Sequence, residues 1–247
     1  MRHEFTAPDG IALAWHEQGE GRPVILLHGL FSDADTNWIR FGHAAEIAGR
    51  GFRVIMPDLR GHGTSARPHD PAAYPPDVLA TDGLALIEHL GLKDHDLGGY
   101  SLGARTAVRM AALGARPRRL VVAGMGLAGL HDTGARSGHF KAILKGLGTH
   151  PRGSPEWLAE AFLKTTGGDP EALLPLLDSF VDTSEEMLRS ITIPTLVVSG
   201  ADDHDNGSAE ALAALLPEAR YVAVPGNHMS AVTRPDLGRA IAGFLAS

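Results

Sequence analysis

Five residues restrict the fold of this chain more than any others: Gly99-Tyr100-Ser101-Leu102-Gly103. They stand between a short strand candidate, Asp96–Gly99, and a helical stripe of Ala104, Ala107, Val108, Ala111 and Ala112. A chain that passes from strand to helix in so few residues turns sharply, and the residue at the apex takes strained backbone geometry. Side chains on either flank would collide, so both flanks must be small. The G-x-S-x-G spacing in this setting lifts the Ser101 hydroxyl above the end of a sheet. There it sits beside a helix N-terminus that favours developing negative charge.

The rest of the chain repeats that strand-then-helix rhythm. Further strand candidates are Ala12–Glu17, Val24–Leu27, Arg53–Met56, Leu120–Ala123, Thr195–Ser199 and Arg220–Val224. Val24-Ile25-Leu26-Leu27 is apolar without alternation, as expected of a strand buried on both faces. Leu79, Gly83, Leu86, Ile87 and Leu90 share one helical face, with Gly91 as a stop, and Ala211, Leu212, Leu215 and Leu216 mark a helix ended by Pro217. Arg105, Arg109 and Arg116 lie off the alanine stripe and read as a solvated outer face. Strands alternating with helices imply an α/β fold: a mostly parallel sheet with helices on both faces. From Leu127 to about Ile193 no strand is evident, and Phe140–Leu147, Trp157–Thr165 and Glu171–Phe180 look helical. This divides the chain into a core, 1–126 and 194–247, and a helical cap insertion, 127–193. An insertion at the carboxyl edge of a parallel sheet sits over the place where such folds bind ligands.

Composition removes several function classes. Asp and Glu total 29 against 22 Lys and Arg, a net charge of −7 over 247 residues, and so no basic footprint for nucleic acid. Cysteine is absent, which excludes disulfides, thiolate metal sites and a cysteine nucleophile. No apolar run approaches a membrane span, and Met1-Arg2-His3-Glu4-Phe5 lacks the core of a signal peptide, so a cytoplasmic enzyme is expected.

Serine is a weak nucleophile without a base. His228, in Pro225-Gly226-Asn227-His228-Met229, follows the last strand candidate, and a loop there returns to the sheet edge near Ser101. The acid that orients the imidazole has three candidates after Thr195–Ser199: Asp202, Asp203 and Asp205. Donors for an oxyanion follow the Val24–Leu27 strand in His28-Gly29-Leu30-Phe31. The backbone N–H groups of Leu30 and Leu102 form the expected pair. His28 reads as a support for that loop.

Taken in order, His28-Gly29, Pro57-Asp58-Leu59-Arg60-Gly61-His62-Gly63-Thr64-Ser65, Gly99–Gly103, Gly200-Ala201-Asp202-Asp203 and Asn227-His228 span nearly the whole chain. The chain resembles the α/β-hydrolase superfamily, in its serine-nucleophile branch with a short helical cap. The resemblance implies an eight-stranded sheet, a triad of Ser101, Asp203 and His228, and an oxyanion hole from Leu30 and Leu102. The family's spacing from Gly200 selects Asp203 among the three acids. Members with aspartate at the nucleophile position are dehalogenases or epoxide hydrolases, and Ser101 speaks against both. Asn227 departs from the glycine frequent before the histidine.

The expected activity is cleavage of a carboxylic ester, or a related small-molecule acyl substrate, through an acyl-enzyme on Ser101. Enol-lactone hydrolysis, C–C bond hydrolysis and cofactor-free perhydrolysis would use the same triad. A C–C hydrolase usually needs polar groups for a dienol carboxylate, for which Arg152 or Arg189 could serve. A non-catalytic binding protein of the same fold is the alternative class. Phe31, Phe140, Leu144, Trp157 and Phe162 are candidate pocket residues, with cap-to-sheet packing as the competing role. Gly124-Met125-Gly126-Leu127-Ala128-Gly129 fits a dinucleotide fingerprint by spacing, but the residues after it make a poor helix start and no strand follows for a long stretch. No cofactor and no metal are expected.

Overall fold

Val24 and Leu26 pack on one face of the sheet and Ile25 and Leu27 on the other, all four fully buried. That two-sided burial is the physical origin of the unalternating apolar run. The computed structural model describes residues 2–247. Its strands are β1 (Arg2–Thr6), β2 (Ala12–Gln18), β3 (Arg22–Leu27), β4 (Phe52–Pro57), β5 (Asp96–Tyr100), β6 (Leu120–Ala123), β7 (Thr195–Gly200) and β8 (Ala219–Val224). They form one eight-stranded sheet in the order β1-β2-β4-β3-β5-β6-β7-β8, in which β2 runs antiparallel to both its neighbours, β1 and β4, and every other neighbouring pair is parallel.

The helices are α1 (His43–Ala48), α2 (Val78–His89), α3 (Leu102–Ala112), α4 (Ala128–His131), α5 (Thr133–Lys145), α6 (Pro155–Thr165), α7 (Pro170–Leu176), α8 (Glu185–Arg189), α9 (Ala209–Leu215), α10 (His228–Ala231) and α11 (Pro235–Leu245). Residues of α1 and α11 pack on one face of the sheet, and those of α2, α3 and α9 on the other.

The chain runs from β3 outward to β4 and then back across to β5, so β3 lies between them. Crossovers that leave in opposite directions open a crevice at the carboxyl ends of β3 and β5. The loop after β3 and the turn after β5 both deliver residues to that crevice.

Two expectations need correction. Arg105 and Arg109 are only 6% exposed, because the outer side of α3 is covered by the helical segment between β6 and β7 rather than by solvent. Arg109 donates through Nε to Asp77 Oδ1 at 2.8 Å and through Nη2 to Asp77 Oδ2. Its Nη1 also donates to the Asp182 carbonyl at 3.1 Å. Arg116 alone of the three is exposed. The second correction concerns α5, which begins at Thr133 and so includes the glycines that read as a poor helix start. The Asp132 carboxylate accepts from Ala135 N–H at 3.1 Å and caps it.

Between β6 and β7 the chain forms α4 to α8 and no strand. Leu130, Leu144, Leu163, Leu173, Leu176 and Leu188 of this segment join the same apolar cluster as the sheet residues Ile25 and Leu27. This helical segment is therefore packed onto the sheet.

Candidate active site

Ser101 has φ 53° and ψ −112°, between the last residue of β5 and the first of α3. This is a region that L-residues with side chains rarely occupy. The turn is closed from both sides: Ser101 N–H donates to the Ala123 carbonyl at 2.8 Å, and Arg105 N–H donates to the Ser101 carbonyl at 3.0 Å. A β-carbon on Gly99 would lie 2.2 Å from the Gly103 carbonyl carbon, so the two glycines pack backbone against backbone beneath the serine.

His228 Nε2 lies 3.0 Å from Ser101 Oγ, and His228 Nδ1 lies 2.9 Å from Asp203 Oδ2. The Asp203 carboxylate is 3% exposed and the imidazole 12%. The structure thus brings Ser101, His228 and Asp203 into one hydrogen-bonded line from three loops that follow β5, β8 and β7. Asp203 N–H donates to the Gly200 carbonyl at 3.0 Å, which folds the loop back at that residue. Asp202 and Asp205 are exposed. Asp205 N–H donates to Asp203 Oδ1 at 3.2 Å, so it steadies the carboxylate from outside the line. The buried Tyr100 hydroxyl donates to the His228 carbonyl at 2.5 Å, a positioning contact the sequence reading missed. Asp203, Asp205 and His228 bring donor atoms within 4.8 Å of one another, but two of the three are hydrogen-bonded to each other.

The loop after β3 is held by polar groups beneath it. Gly29 N–H donates to Asn37 Oδ1 at 3.0 Å from a π-helical turn, Asp35–Ile39. Leu59 N–H donates to His28 Nε2 at 2.9 Å, so His28 carries its proton on Nδ1 and donates it to the Gly29 carbonyl at 2.8 Å. Burial pushes the His28 pKa down and keeps the ring neutral. His62 stacks edge to face on it at 5.1 Å, and burial lowers its pKa to about 3. The Asp58 carboxylate accepts from Ala34 N–H at 2.9 Å and from Thr64 N–H at 2.7 Å. Gly63, at φ 51°, leaves room for that carboxylate: a β-carbon there would sit 2.3 Å from its carbon. Phe31 holds φ 61°, and Thr166 of the insertion donates to its carbonyl at 2.7 Å. The Leu30 N–H has no hydrogen-bond partner among the described residues, and Leu102 opens α3 beside Ser101.

Two cavities meet at Ser101. One, of about 230 Å³, is lined by Gly29, Leu30, Phe41, Phe162, His228 and Met229 among others. The other is a narrow cleft bounded by Leu30, Leu102, Arg105, Arg136, Phe140 and Phe180. Phe162 and Phe140 therefore line cavities. Phe31 and Leu144 do not: both are buried in the core, with Phe31 edge-on to Phe140 at 5.5 Å. Trp157 is half-buried on α6 and lines neither cavity. Arg152 is exposed, and Arg189 pairs with Glu185 on the surface, so neither faces Ser101. Gly126 and Gly129 serve packing instead: a β-carbon on Gly126 would meet the Gly207 carbonyl oxygen at 2.1 Å. No helix among the described residues is long and apolar enough to cross a membrane.

Comparison with known proteins fits this architecture. An epoxide hydrolase of Caballeronia sordidicola is 38% identical over 113 residues, which is 46% of this chain and 33% of that protein. The chain thus aligns with only about a third of that relative's length. A non-heme haloperoxidase of Rhodococcus erythropolis is 28% identical over 98% of both chains. Among solved structures, a thermophilic esterase from Thermogutta terrifontis superposes with a TM-score of 0.80 at 27% identity, covering 99% of this chain and 98% of that one. The sequence profile of the Alpha/beta hydrolase family matches residues 24–238. With its sheet order, its serine elbow and that match in agreement, the chain belongs to the alpha/beta hydrolase family.

Proposed function

We propose that the protein is a serine hydrolase that cleaves a carboxylic ester or a close acyl relative. The observation that carries this reading is the unbroken line Asp203–His228–Ser101, with hydrogen bonds of 2.9 and 3.0 Å. In the proposed reaction Ser101 Oγ attacks the carbonyl carbon while His228 Nε2 takes its proton. Asp203 holds the Nδ1–H and balances the imidazolium charge. The backbone N–H groups of Leu30 and Leu102 receive the oxyanion. His228 returns the proton to the leaving oxygen, alcohol departs, and an acyl-serine remains. Water then repeats the sequence and frees the acid. Similarity to an esterase over the whole chain supports this choice.

A second reading follows from the full-length similarity to a non-heme haloperoxidase. Hydrogen peroxide in place of water at the deacylation step would release a peracid with no metal or redox cofactor. Both readings share the acyl-enzyme. A chain-length series of 4-nitrophenyl esters, run with and without peroxide, tests them. Burst kinetics with later steady turnover support the proposal, and a single slow turnover would instead indicate a binding protein.

A further inference from the structure

The narrow cleft beside Ser101 is lined by two cations that form no ion pair with the acids around them. Arg105 reaches it from α3, four residues after the serine, and Arg136 from α5. Arg105 spends Nε and Nη2 on one acceptor, the Gly129 carbonyl, at 3.1 and 2.8 Å. Its Nη1 is buried without a partner. Its guanidinium lies over the Phe180 ring at 4.7 Å. Arg136 donates from Nη1 to the Asp205 carbonyl at 2.8 Å and lies over Phe140 at 5.1 Å. All these hydrogen bonds go to backbone carbonyls. No ion pair among the described residues includes either arginine. Of the acids whose charge reaches them, Asp182 accepts from Thr133 N–H and Oγ1, Asp203 accepts from His228, and the exposed Asp205 carboxylate forms no ion pair with Arg136. Burial and the neighbouring Arg136 charge push Arg105 down to about 10, so it remains a cation at neutral pH.

A buried and a half-buried like charge facing one cleft carry a desolvation cost that an anion would relieve. The position of the cleft says which part of a substrate brings it. His228 must protonate the leaving oxygen, so the leaving group lies on the His228 side, in the 230 Å³ cavity. The acyl group then points to the opposite side, where the cleft offers the far end of that group about 20 Å³, room for a small polar group.

We propose that Arg105 and Arg136 form a subsite for a carboxylate at the far end of the acyl group, so that the preferred substrate is an ester or lactone of an acid carrying a second, free carboxylate. This rests on Ser101 as the nucleophile. Arginine suits the task because its planar fork offers several donors to a carboxylate.

The test compares matched 4-nitrophenyl esters of succinic, glutaric and adipic acid, each as the free monoacid and as its neutral methyl ester, after subtraction of uncatalysed release. The wild type should favour the free acid at one chain length by tenfold or more in kcat/KM, with added salt eroding the preference. Arg105→Gln and Arg136→Gln should each bring the ratio towards one, mainly through KM, and Arg105→Lys should restore part of it. A wild-type ratio at or below one overturns the proposal. So does a variant that slows both esters equally, because Arg105 then only clamps Gly129 and water fills the cleft. If the wild type turns over neither ester, the hydrolase reading fails separately. Calorimetric titration of glutarate into Ser101→Ala, with and without Arg105→Gln, then reads the cleft without turnover. Binding weakened by the second substitution supports the subsite, and no binding to either variant removes it.

Discussion

Gly103 lies directly against the carbonyl of Leu27: a β-carbon built on the glycine would sit 2.1 Å from the Leu27 oxygen and 2.7 Å from that of His28. The start of α3 and the end of β3 therefore touch backbone to backbone, and this contact sets how close Ser101 stands to the loop bearing Leu30. Gly103→Val must push the two elements apart. The expected result is lower soluble yield and a loss of about 3 kcal/mol or more in denaturant unfolding, with activity falling alongside. A stable, fully active Gly103→Val protein would contradict this packing.

The three acids after β7 should separate cleanly. Asp203→Asn keeps the shape at His228 but removes the charge, a change that costs about 10⁴ in kcat in a serine protease triad. Asp202→Asn and Asp205→Asn alter exposed carboxylates and should leave kcat within a few-fold, on the order of a surface substitution. Ser101→Ala should lose about 10⁴ or more with the fold intact by circular dichroism. If Asp205→Asn proves the crippled variant, the orienting acid is misassigned by two residues.

Acid should destabilise the fold through its buried histidines, against the smaller opposing effect of Asp82, whose burial raises its pKa to about 6. Burial lowers the His62 pKa to about 3, while an unfolded histidine titrates near its ordinary value of 6.5. Between those values the unfolded chain binds a proton that the folded one refuses, so stability falls as pH drops through this window. One such group contributes up to ~1.4 kcal/mol per pH unit. His28, His43 and His95 are shifted down by burial as well and add to the slope. Tm measured between pH 7.5 and 5 should decline, and His62→Gln should flatten the decline. Equal slopes would show that His62 is not among the groups responsible.

Arg109 and Asp77 tie α3 to the start of α2, and the arginine also reaches the insertion through the Asp182 carbonyl. Arg109→Leu strands the Asp77 carboxylate, which is 19% exposed, and should cost about 3 kcal/mol. Arg109→Lys should recover little of it, since an ammonium cannot serve both carboxylate oxygens and the carbonyl together. Urea denaturation of the two variants checks this.

What was legible in the sequence was whatever depends on local sterics and period. The glycine pair around Ser101 announces a turn because no other residue fits, and Val24–Leu27 announces a buried strand because both faces are covered. β1 escaped notice because an edge strand buries little: along Arg2–Thr6 only Phe5 is buried, so no apolar pattern forms. Arg105 and Arg109 were misread because helical spacing shows which side faces the sheet and says nothing of a distant segment folding over the other side. The same blindness hid Tyr100 and Asn37, whose partners stand 128 and 8 residues away. Leu144 and Trp157 failed as pocket residues for a related reason: composition identifies apolar surface, and tertiary packing alone decides whether it meets the core or a cavity.

The backbone conformation of Ser101 has a bearing on mutational drift. At φ 53° and ψ −112°, glycine is the residue that relaxes the turn most readily. Ser101→Gly should therefore unfold at higher denaturant than Ser101→Ala, by roughly 1 kcal/mol. Random change at this codon would thus be rewarded with a sturdier protein each time it abandoned chemistry for glycine. On the proposed reading, the oxygen of Ser101 accounts for a serine at this strained turn, where its contribution to folding does not.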